Sequence, residues 1–497
     1  MKIKFSRGMG KIKGWRCAWI VPLLLASGLT AQQSITLEQA LEIAMENSPD
    51  IQRLRLMTKR RQELLNAQNA ALKSQFSLSL TPIDYSNERQ FNYLFSTWYS
   101  GENKATSGTF TLSQPIKWTD GTLSLNNRFT WQDSYSEFRG ERDESYSNNL
   151  YLSFQQPIFT YNRTKLALRE LELDLENANL NYSIQRLALE RNVTRAFYDV
   201  YAFRMSLQIA TEEYESQKIS HEIIKNKVDA GLAAMEELYQ AELNMATSKS
   251  NMQNSEVTYQ NALDAFKRLI GMPLDSEISV VADISHQQVP VDLNLAIEHG
   301  LSARMELIQR KIDIETSQFD LIRTSALNEF QGNISLSYGL LGNNEEYSQI
   351  YDKPAENQRV SLSLNIPLFD WGEKKSRIEA AEAVIETSEL DLEVEKTDIV
   401  IGIRTVYRSL INLINQIEIA RQNERNAQLT YDINLERYRN GDLTSMDLRL
   451  FQDQLSQSKL DLVNALIDYK IELLNMKIQS LWDFQKNRSV VEVNQES

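Results

Sequence analysis

The fold is decided by residues 399–420, which read IVIGIRTVYRSLINLINQIEIA. Apolar residues recur there at alternating steps of four and three: Ile399, Ile403, Val406, Leu410, Leu413, Ile417 and Ala420. This heptad spacing keeps one apolar stripe of a helix against a neighbouring helix. The stretch therefore predicts a long helix that packs against other helices.

The same apolar stripe occurs 210 residues earlier, within residues 189–210, LERNVTRAFYDVYAFRMSLQIA. Its members are again all apolar: Leu189, Val193, Ala196, Val200, Phe203, Leu207 and Ala210. Two unrelated amphipathic helices can share a heptad pattern, but here the flanking residues correspond as well. At the same offset the matches are Pro157 with Pro367, Phe159 with Phe369, Gly231 with Gly441, and Glu237 with Asp447. We infer a tandem duplication built around this long helix.

The N-terminus differs in composition from the rest of the chain. Six Lys or Arg residues within 1–16 precede the apolar run Cys17–Leu25 and small residues up to Ala31. This pattern predicts a secretory signal peptide over 1–31, since the apolar run is too short for a membrane anchor. Its removal would change the formal charge from −14 to −20 and would remove the single cysteine. So acidic a chain disfavours nucleic acid as a partner.

Alternating apolar and polar residues predict strands between the short and long helices. The runs are 76–81, 109–112, 122–131 and 150–154 in the first repeat, and 334–340 and 360–366 in the second. Turn-rich segments such as 84–106 and 342–358 are expected to be loops between strands. No later segment is apolar enough for a transmembrane helix, so a membrane position would require a β-barrel. Alternation alone does not decide whether the apolar face meets lipid or a protein core.

The predicted layout has two repeats separated by a linker. The first repeat covers 32–273, with a short helix at 36–48, an ascending helix to about 71, strands at about 76–158, a long helix at about 164–228 and a return helix at about 233–270. After a linker at 274–291, the second repeat covers 292–484, with strands at about 334–366, a long helix at about 374–439 and a return helix at about 444–484. Residues 485–497 form a polar tail that we expect to be poorly ordered. The repeat offset falls from 256 to 210, so the first repeat carries 46 additional residues in its strand region.

Signatures of catalysis, cofactor binding and metal binding are absent from the sequence. There is no His-Glu-x-x-His, no phosphate-binding glycine loop and no Gly-x-Ser-x-Gly. The histidines His221, His286 and His299 are dispersed, which is typical of surface positions. We expect a protein that is not an enzyme and that has no cofactor.

In its order of motifs, the chain from about 34 to 484 resembles the TolC-type outer-membrane efflux channels. The resemblance rests on the duplication, on Pro-Ile-Phe (157–159) and Pro-Leu-Phe-Asp-Trp-Gly (367–372) at the strand-to-helix steps, and on the glycine turns. These turns are Ala230-Gly231-Leu232 followed by Glu237, and Asn440-Gly441-Asp442 followed by Asp447.

The resemblance implies a homotrimer that combines an all-α coiled-coil barrel with a transmembrane β-barrel. Each protomer would give four strands to a shared barrel in outer-membrane lipid and four helical segments to a periplasmic tunnel. It further implies export through a passive conduit, with an inner-membrane pump linked by a periplasmic adaptor that docks around Gly231 and Gly441. Asp447 would narrow the periplasmic mouth.

The sequence departs from the family pattern at three places. The extra strand pair of the first repeat either enlarges the barrel or forms a hairpin outside it, and we expect the hairpin. Leu450 occupies the position of a second constricting carboxylate, and Leu443 occupies the position of a basic residue that the family pairs with the carboxylate at Glu237.

Two alternatives remain open from the sequence. One is a different transport route, either a type I protein secretion channel or a metal-cation channel. The other is a soluble periplasmic coiled-coil scaffold, which accounts for the helices but not for the strands placed between them in both repeats.

Overall fold

The computed structural model describes residues 33–285, 287–440 and 442–490. The predicted signal peptide at 1–31, His286, Gly441 and the last part of the tail lie outside the described residues.

The described chain alternates helices and strands in the order of two repeats. The first contains β1 (Gln33–Ile35), α1 (Leu37–Asn47), α2 (Pro49–Ala71), β2 (Gln75–Asn92), β3 (Thr97–Ile116), β4 (Gly121–Ser136), β5 (Glu141–Ile158), α3 (Arg163–Asp229) and α4 (Met235–Ile270). The second contains β6 (Ile278–Val280), α5 (Leu293–Ala303), α6 (Met305–Ser325), β7 (Gln331–Asn344), β8 (Ala355–Asn365), α7 (Glu373–Asn440) and α8 (Ser445–Ser480). The chain then forms β9 (Trp482–Asp483) and β10 (Arg488–Ser489).

The long helices α3 and α7 span 67 and 68 residues, which at 1.5 Å per residue is about 100 Å each. Helices of this length need neighbours along their whole course. The N-terminal half of α3 packs against α2 and α6, and its C-terminal half packs against α4 and α8. In the second repeat, α6 and α8 are the corresponding partners of α7. The result is a pair of antiparallel helical hairpins, α3–α4 and α7–α8. Helix α2 lies beside the N-terminal half of α3, and α6 lies beside the N-terminal half of α7.

The two heptad stripes lie in the two largest core clusters. Leu189, Val193 and Val200 are buried with α1 and α4, and Ala196 packs against the same cluster. In the second repeat Ile399, Ile403, Val406 and Leu410 are buried with α5 and α8, and Leu413 packs against them.

Phe203 is an exception among the predicted stripe residues, because 38% of its surface is exposed. In this part of α3 the buried side chains are those of Phe197 and Tyr201 instead. Helices have 3.6 residues per turn, so a strict heptad drifts away from a straight core stripe.

Six strands of the described chain form one antiparallel sheet in the order β2-β3-β4-β5-β7-β8. The expectation that the extra strand pair lies outside the main sheet is therefore wrong. Strand β3 pairs with β4 along its length, from Gly101 opposite Ser136 to Ile116 opposite Gly121. Backbone pairing of this extent holds all four strands of the first repeat within the sheet.

Much of the segment predicted as a loop at 84–106 is also strand. After a register shift between Thr81 and Asp84, β2 continues to Asn92 and pairs with the first half of β3. Most side chains there are polar, and the few aromatic ones, Tyr85, Phe91, Trp98 and Tyr99, do not form a regular alternation that marks the strands. In the predicted loop at 342–358, β7 likewise extends to Asn344 and β8 begins at Ala355.

The two faces of the sheet differ in polarity, as the alternation predicts. One face carries Phe76, Leu78, Leu80, Phe110, Leu112, Leu123, Leu125, Leu150, Leu152, Phe154, Ile334, Leu336, Val360, Leu362 and Leu364. The opposite face carries Ser77, Ser79, Thr109, Thr111, Ser124, Asn126, Ser153, Ser335, Ser337, Ser361 and Ser363. Many of the apolar side chains are largely exposed in the single chain. This exposed apolar face indicates a surface that meets lipid or another protein.

Charged and aromatic side chains border the apolar face at its end away from the helices. Arg142 donates two hydrogen bonds to Asp133, at 2.7 and 2.6 Å. Trp131 donates its indole N–H to Glu144 at 2.7 Å. An apolar band bordered by aromatic and then charged residues is typical of a sheet at a membrane–water boundary.

Short strands are present in the predicted linker and tail. In the linker, β6 pairs in parallel with β1, and after α8 a turn brings β10 against β9. The first residues of the predicted tail, up to Ser489, are thus hydrogen-bonded rather than poorly ordered. Among the residues described, no helix is long and apolar enough to cross a membrane.

Candidate functional site

The candidate site is the helical tip, where α3 is followed by α4 and α7 is followed by α8. Gly231 has a φ of +72°, and Leu232 donates its backbone N–H to the Lys227 carbonyl at 2.7 Å. Asp442 donates to the Arg437 carbonyl at 2.9 Å in the same way. Both helices therefore end with a six-to-one hydrogen bond, and in the first turn Gly231 supplies the left-handed residue that such a C-cap favours. The predicted turn residue Gly441 itself lies outside the described residues.

A small apolar cluster holds the two tips together. It buries Ile224 of α3, Ala241 of α4, Tyr438 of α7 and Leu448 of α8, and Leu443 packs against it. The Lys227 ammonium lies 5.5 Å from the centre of the Tyr438 ring, a distance that permits a cation–π interaction. At position 443, where the resemblance implies a basic residue, this chain thus has an apolar contact between the tips.

Asp447, the predicted constriction residue, lies in the first turn of α8 and is exposed. Thr444 caps this helix, since its hydroxyl accepts the Asp447 N–H at 3.2 Å and donates to the Asp447 carboxylate at 2.7 Å. Glu237, the corresponding residue of the first tip, is exposed in the first turn of α4. Both carboxylates complement the positive end of a helix dipole. A role for Asp447 in a pore stays a prediction.

A set of polar side chains, here called the polar layer, joins the two hairpins farther from the tip. It consists of Ser216, Gln217, Asn244, Tyr431, Arg449 and Gln452. Gln217 donates to Gln452 at 3.1 Å and Arg449 donates to Asn244 at 2.7 Å, so both contacts cross from one repeat to the other. Ser216 and Tyr431 share a hydrogen bond of 3.2 Å. Buried polar groups tie helices in one relative position because their partners are expensive to lose.

Two partly buried carboxylates border the polar layer. Burial raises the pKa of Glu213, and the negative charge of Asp453 raises it further. Burial also raises the pKa of Asp453, although Arg449 at 3.7 Å opposes this shift. The sequence gives no sign of this pair, because isolated polar residues in a long helix form no motif and Glu213 and Asp453 are 240 positions apart.

The strand-to-helix junctions are built differently in the two repeats. In the first, Pro157 is still paired in β5 and Phe159 has a φ of +61°. In the second, Pro367 and Phe369 follow the end of β8, and the positive φ values fall at Trp371 and Gly372.

Asp370 stabilises this second junction by accepting the N–H groups of Gly372 and Lys374 at 3.0 and 3.1 Å. These backbone hydrogen bonds lower the pKa of the Asp370 carboxyl. The predicted junction residues are thus close to the turns, but matching residues do not have matching backbone conformations.

Exposed apolar side chains surround both tip turns. They are Leu232, Met235, Tyr239 and Leu243 on the first hairpin, and Met446 and Leu450 on the second. A patch of this kind at the end of a long projection indicates a protein-binding surface. We call it the tip patch.

The two histidines that the structure describes, His221 and His299, lie in separate surroundings. His221 faces Glu242 at 3.8 Å, and His299 stacks on Trp482 with ring centres 4.3 Å apart. No group of three or more His, Cys, Asp or Glu able to hold a metal ion occurs within the part of the chain that the structure describes.

Fold and site together define a class of protein, in which antiparallel helical hairpins about 100 Å long are joined to a β domain with an exposed apolar face. The chain belongs to the Outer membrane efflux protein family, whose sequence profile matches residues 121–272 and 298–477.

Two relatives and one solved structure illustrate the similarity. The outer membrane protein TolC of Escherichia coli K12 is 21% identical over 369 residues, which cover 71% of this chain and 73% of that protein. The alkaline protease secretion protein AprF of Pseudomonas aeruginosa is 21% identical over 299 residues, or 57% and 60% of the two chains. The outer membrane channel CmeC of Campylobacter jejuni has the same fold, with a TM-score of 0.67 at 15% identity over 92% of this chain and 87% of CmeC.

The predicted family, fold class and outer-membrane location are confirmed by these comparisons. The family consists of channel proteins rather than enzymes.

Proposed function

We propose that this protein is the outer-membrane component of a tripartite efflux or export system and acts as a passive conduit from the periplasm to the exterior. One observation carries the proposal: a single chain joins a sheet with an exposed apolar face to helical hairpins about 100 Å long. The sheet suits lipid, and the hairpins are long enough to reach far into the periplasm.

The conduit is a homotrimer in this proposal. Both edge strands of the sheet, β2 and β8, have an unpaired side among the described residues. Open edges are not tolerated in lipid, so the sheet needs further copies for closure. The matching hairpins of three copies would then surround a periplasmic tunnel.

A periplasmic adaptor docks on the tip patch and links the channel to an inner-membrane pump that supplies the energy. The tip patch supports this step, since exposed Leu, Met and Tyr side chains are suited to a protein partner. The channel itself has no site for energy conversion in this scheme. Opening moves the return helices relative to the long helices, which requires the polar layer to separate or to exchange partners.

A second candidate is an outer-membrane channel for protein secretion. Its support is the similarity to AprF, which is named for alkaline protease secretion. A metal-cation channel and a periplasmic scaffold are the remaining alternatives. The scaffold leaves the exposed apolar face of the sheet without a role.

Fractionation and bilayer recording test the proposal. We expect the protein to remain with the outer membrane after carbonate or high-salt washing, to require detergent for extraction, and to form ion-conducting pores in planar bilayers. Release by washing, together with an absence of pores, would favour the scaffold.

A further inference from the structure

We infer that the β domain closes as an eighteen-stranded barrel, in which β8 of one copy pairs with β2 of the next copy in a single defined register. This inference rests on the proposed trimer. It goes beyond that trimer because the resemblance implies only four strands per copy, whereas six strands of this chain lie in one sheet.

The directions of the two edge strands permit this pairing. Every neighbouring pair from β2 to β8 is antiparallel, and the sheet contains an even number of strands. Strand β8 of one copy therefore runs antiparallel to β2 of the next copy. All residues of β8, and nearly all of β2, are exposed in the single chain.

The register follows from where the edge strands meet the helices. Strand β2 begins at Gln75, shortly after α2 ends at Ala71, and β8 ends at Asn365, shortly before α7 begins. If Gln75 pairs with Asn365, the start of β2 and the end of β8 lie at the same distance from the helical domain. The facing pairs are then Phe76 with Leu364, Leu78 with Leu362, and Leu80 with Val360.

These six side chains share one face of the sheet. From Phe76 the cross-strand partners run through Leu112, Leu125, Leu152, Tyr338 and Gln358. Gln358 and Leu364 are an even number of residues apart on β8, so both point to the same side. The pairing thus continues the apolar band from one copy to the next without a break. It also covers strongly exposed residues such as Val360, of which 81% is accessible in the single chain.

The same register predicts a feasible barrel geometry. The row of partners that starts at Phe76 reaches β8 six residues away from Leu364, which faces the next copy's Phe76. A shift of about 20 Å along the strands over six strand spacings of about 29 Å gives a tilt of about 35°. Closed barrels have tilts of about 35–45°, so a register chosen to level the strand ends also satisfies closure.

Eighteen strands at this tilt enclose a backbone diameter of about 33 Å, against about 22 Å for twelve strands. The face that would line the barrel is rich in Ser, Thr and Asn. The inference therefore gives this channel a wide, hydrated exit, comparable in strand number to porins that hold an aqueous channel.

Paired cysteines test the register. The described chain contains no cysteine, and residues 77 and 363 lie on opposite edges of the sheet, separated by five strand spacings or about 24 Å across the strands. A disulfide between them can therefore form only between copies. With Ser77→Cys and Ser363→Cys in one chain, mild oxidation in native outer membranes should give a covalent trimer on a non-reducing gel, reversed by reductant.

Two matched double variants accompany this pair. Thr81→Cys with Ser363→Cys is displaced by four residues and should give little cross-linking. Ser124→Cys with Ser363→Cys should also stay uncrosslinked, because it joins copies only if β2 and β3 stand outside the barrel and β4 is the edge strand.

Cross-linking of the Ser124 pair, or none in the Ser77 pair of a protein that is trimeric and forms pores, would overturn the eighteen-stranded barrel while leaving the proposed function intact. A wild-type protein that is monomeric and forms no pores would overturn both.

Discussion

At the residue scale, the helical tip combines side chains that the sequence identifies with side chains that it does not. Asp447 follows from its position after a glycine turn, and its bond to Thr444 is a local helix cap between residues three apart. The apolar role of Leu443, by contrast, depends on tertiary packing. The sequence also gives no sign of the polar layer, because its hydrogen bonds join residues of different repeats.

The first prediction concerns Asp447. Three exposed copies around a threefold axis would form a carboxylate ring, which attracts cations and repels anions. We expect Asp447→Asn to weaken cation selectivity and to reduce block by multivalent cations in single-channel recordings. Thr444→Ala is the control, since it removes the cap at a cost of about 1 kcal/mol but keeps the carboxylate. If Asp447→Asn leaves cation selectivity and block unchanged, the role of Asp447 is limited to stabilising the first turn of α8.

The second prediction concerns the pH dependence of stability at the polar layer. The pKa of Glu213 is raised in the folded protein above its unfolded value, mainly by burial. The folded state then binds this proton more tightly, so the contribution of Glu213 to stability increases as the pH falls toward the folded pKa and is lost as the pH rises through it.

Glu213→Gln keeps the side chain neutral at every pH. We expect a higher melting temperature than wild type at pH 7.5, and a difference that shrinks toward pH 5, measured by circular dichroism at 222 nm. Glu222→Gln, an exposed position on the same helix, should change neither quantity. A constant difference between Glu213→Gln and wild type across this range would contradict the assignment.

At the element scale, the helices follow closely from the sequence and the strands do so only in part. Thr36 caps α1 with a complete capping box, Pro49 begins α2, and the two heptad stripes lie on α3 and α7, so local signals mark these helices well. The strands β2 and β3 extend beyond their apolar band, where only backbone pairing defines them. The sequence also does not predict that the extra strand pair lies in the same sheet. A period of two shows that a segment is a strand, but it does not show which strand is its neighbour.

The third prediction compares two glycines that end helices. Gly231 and Gly271 have φ values of +72° and +78°, which cost a residue with a Cβ about 1–2 kcal/mol. A Cβ at Gly231 meets open space, but at Gly271 it would lie 2.3 Å from the Asn47 carbonyl oxygen. We expect the decrease in the melting temperature of the helical domain to be several-fold larger for Gly271→Ala than for Gly231→Ala. Equal shifts would mean that the contact with α1 is unimportant.

The fourth prediction tests which face of the sheet meets lipid. Leu362 and Leu364 lie on the apolar face of β8, and Ser361 and Ser363 lie on the polar face. Leu362→Asp or Leu364→Asp should impair membrane insertion, since a carboxylate in lipid costs on the order of a few kcal/mol. Ser361→Asp and Ser363→Asp are the matched controls and should insert normally. Equal insertion of both sets, measured by protease protection and heat-modifiable migration, would refute this orientation.

At the scale of the whole molecule, the single chain leaves two kinds of surface unsatisfied. The sheet has two unpaired edges and an apolar face, and the hairpins expose apolar residues such as Ile401, Ile419 and Ile433 along α7. Both features extend over the length of the molecule, so one small interface cannot cover them. Repetition of the chain around an axis covers the edges and the helix sides together.

The last prediction is the state of assembly. We expect the protein extracted in mild detergent to have three times the mass of one mature chain by size-exclusion chromatography with light scattering, after correction for bound detergent. The physical reason is that six strands at a tilt of about 35° cover only part of a closed wall, so each edge must pair with another copy.

A variant lacking the β2–β3 hairpin, residues 75–116, provides a comparison, because β4 would then be the edge strand. It should still form trimers if any antiparallel edge suffices, and it should lose them if the facing pairs between β2 and β8 are required. A wild-type mass of one chain in several mild detergents would contradict the assembly.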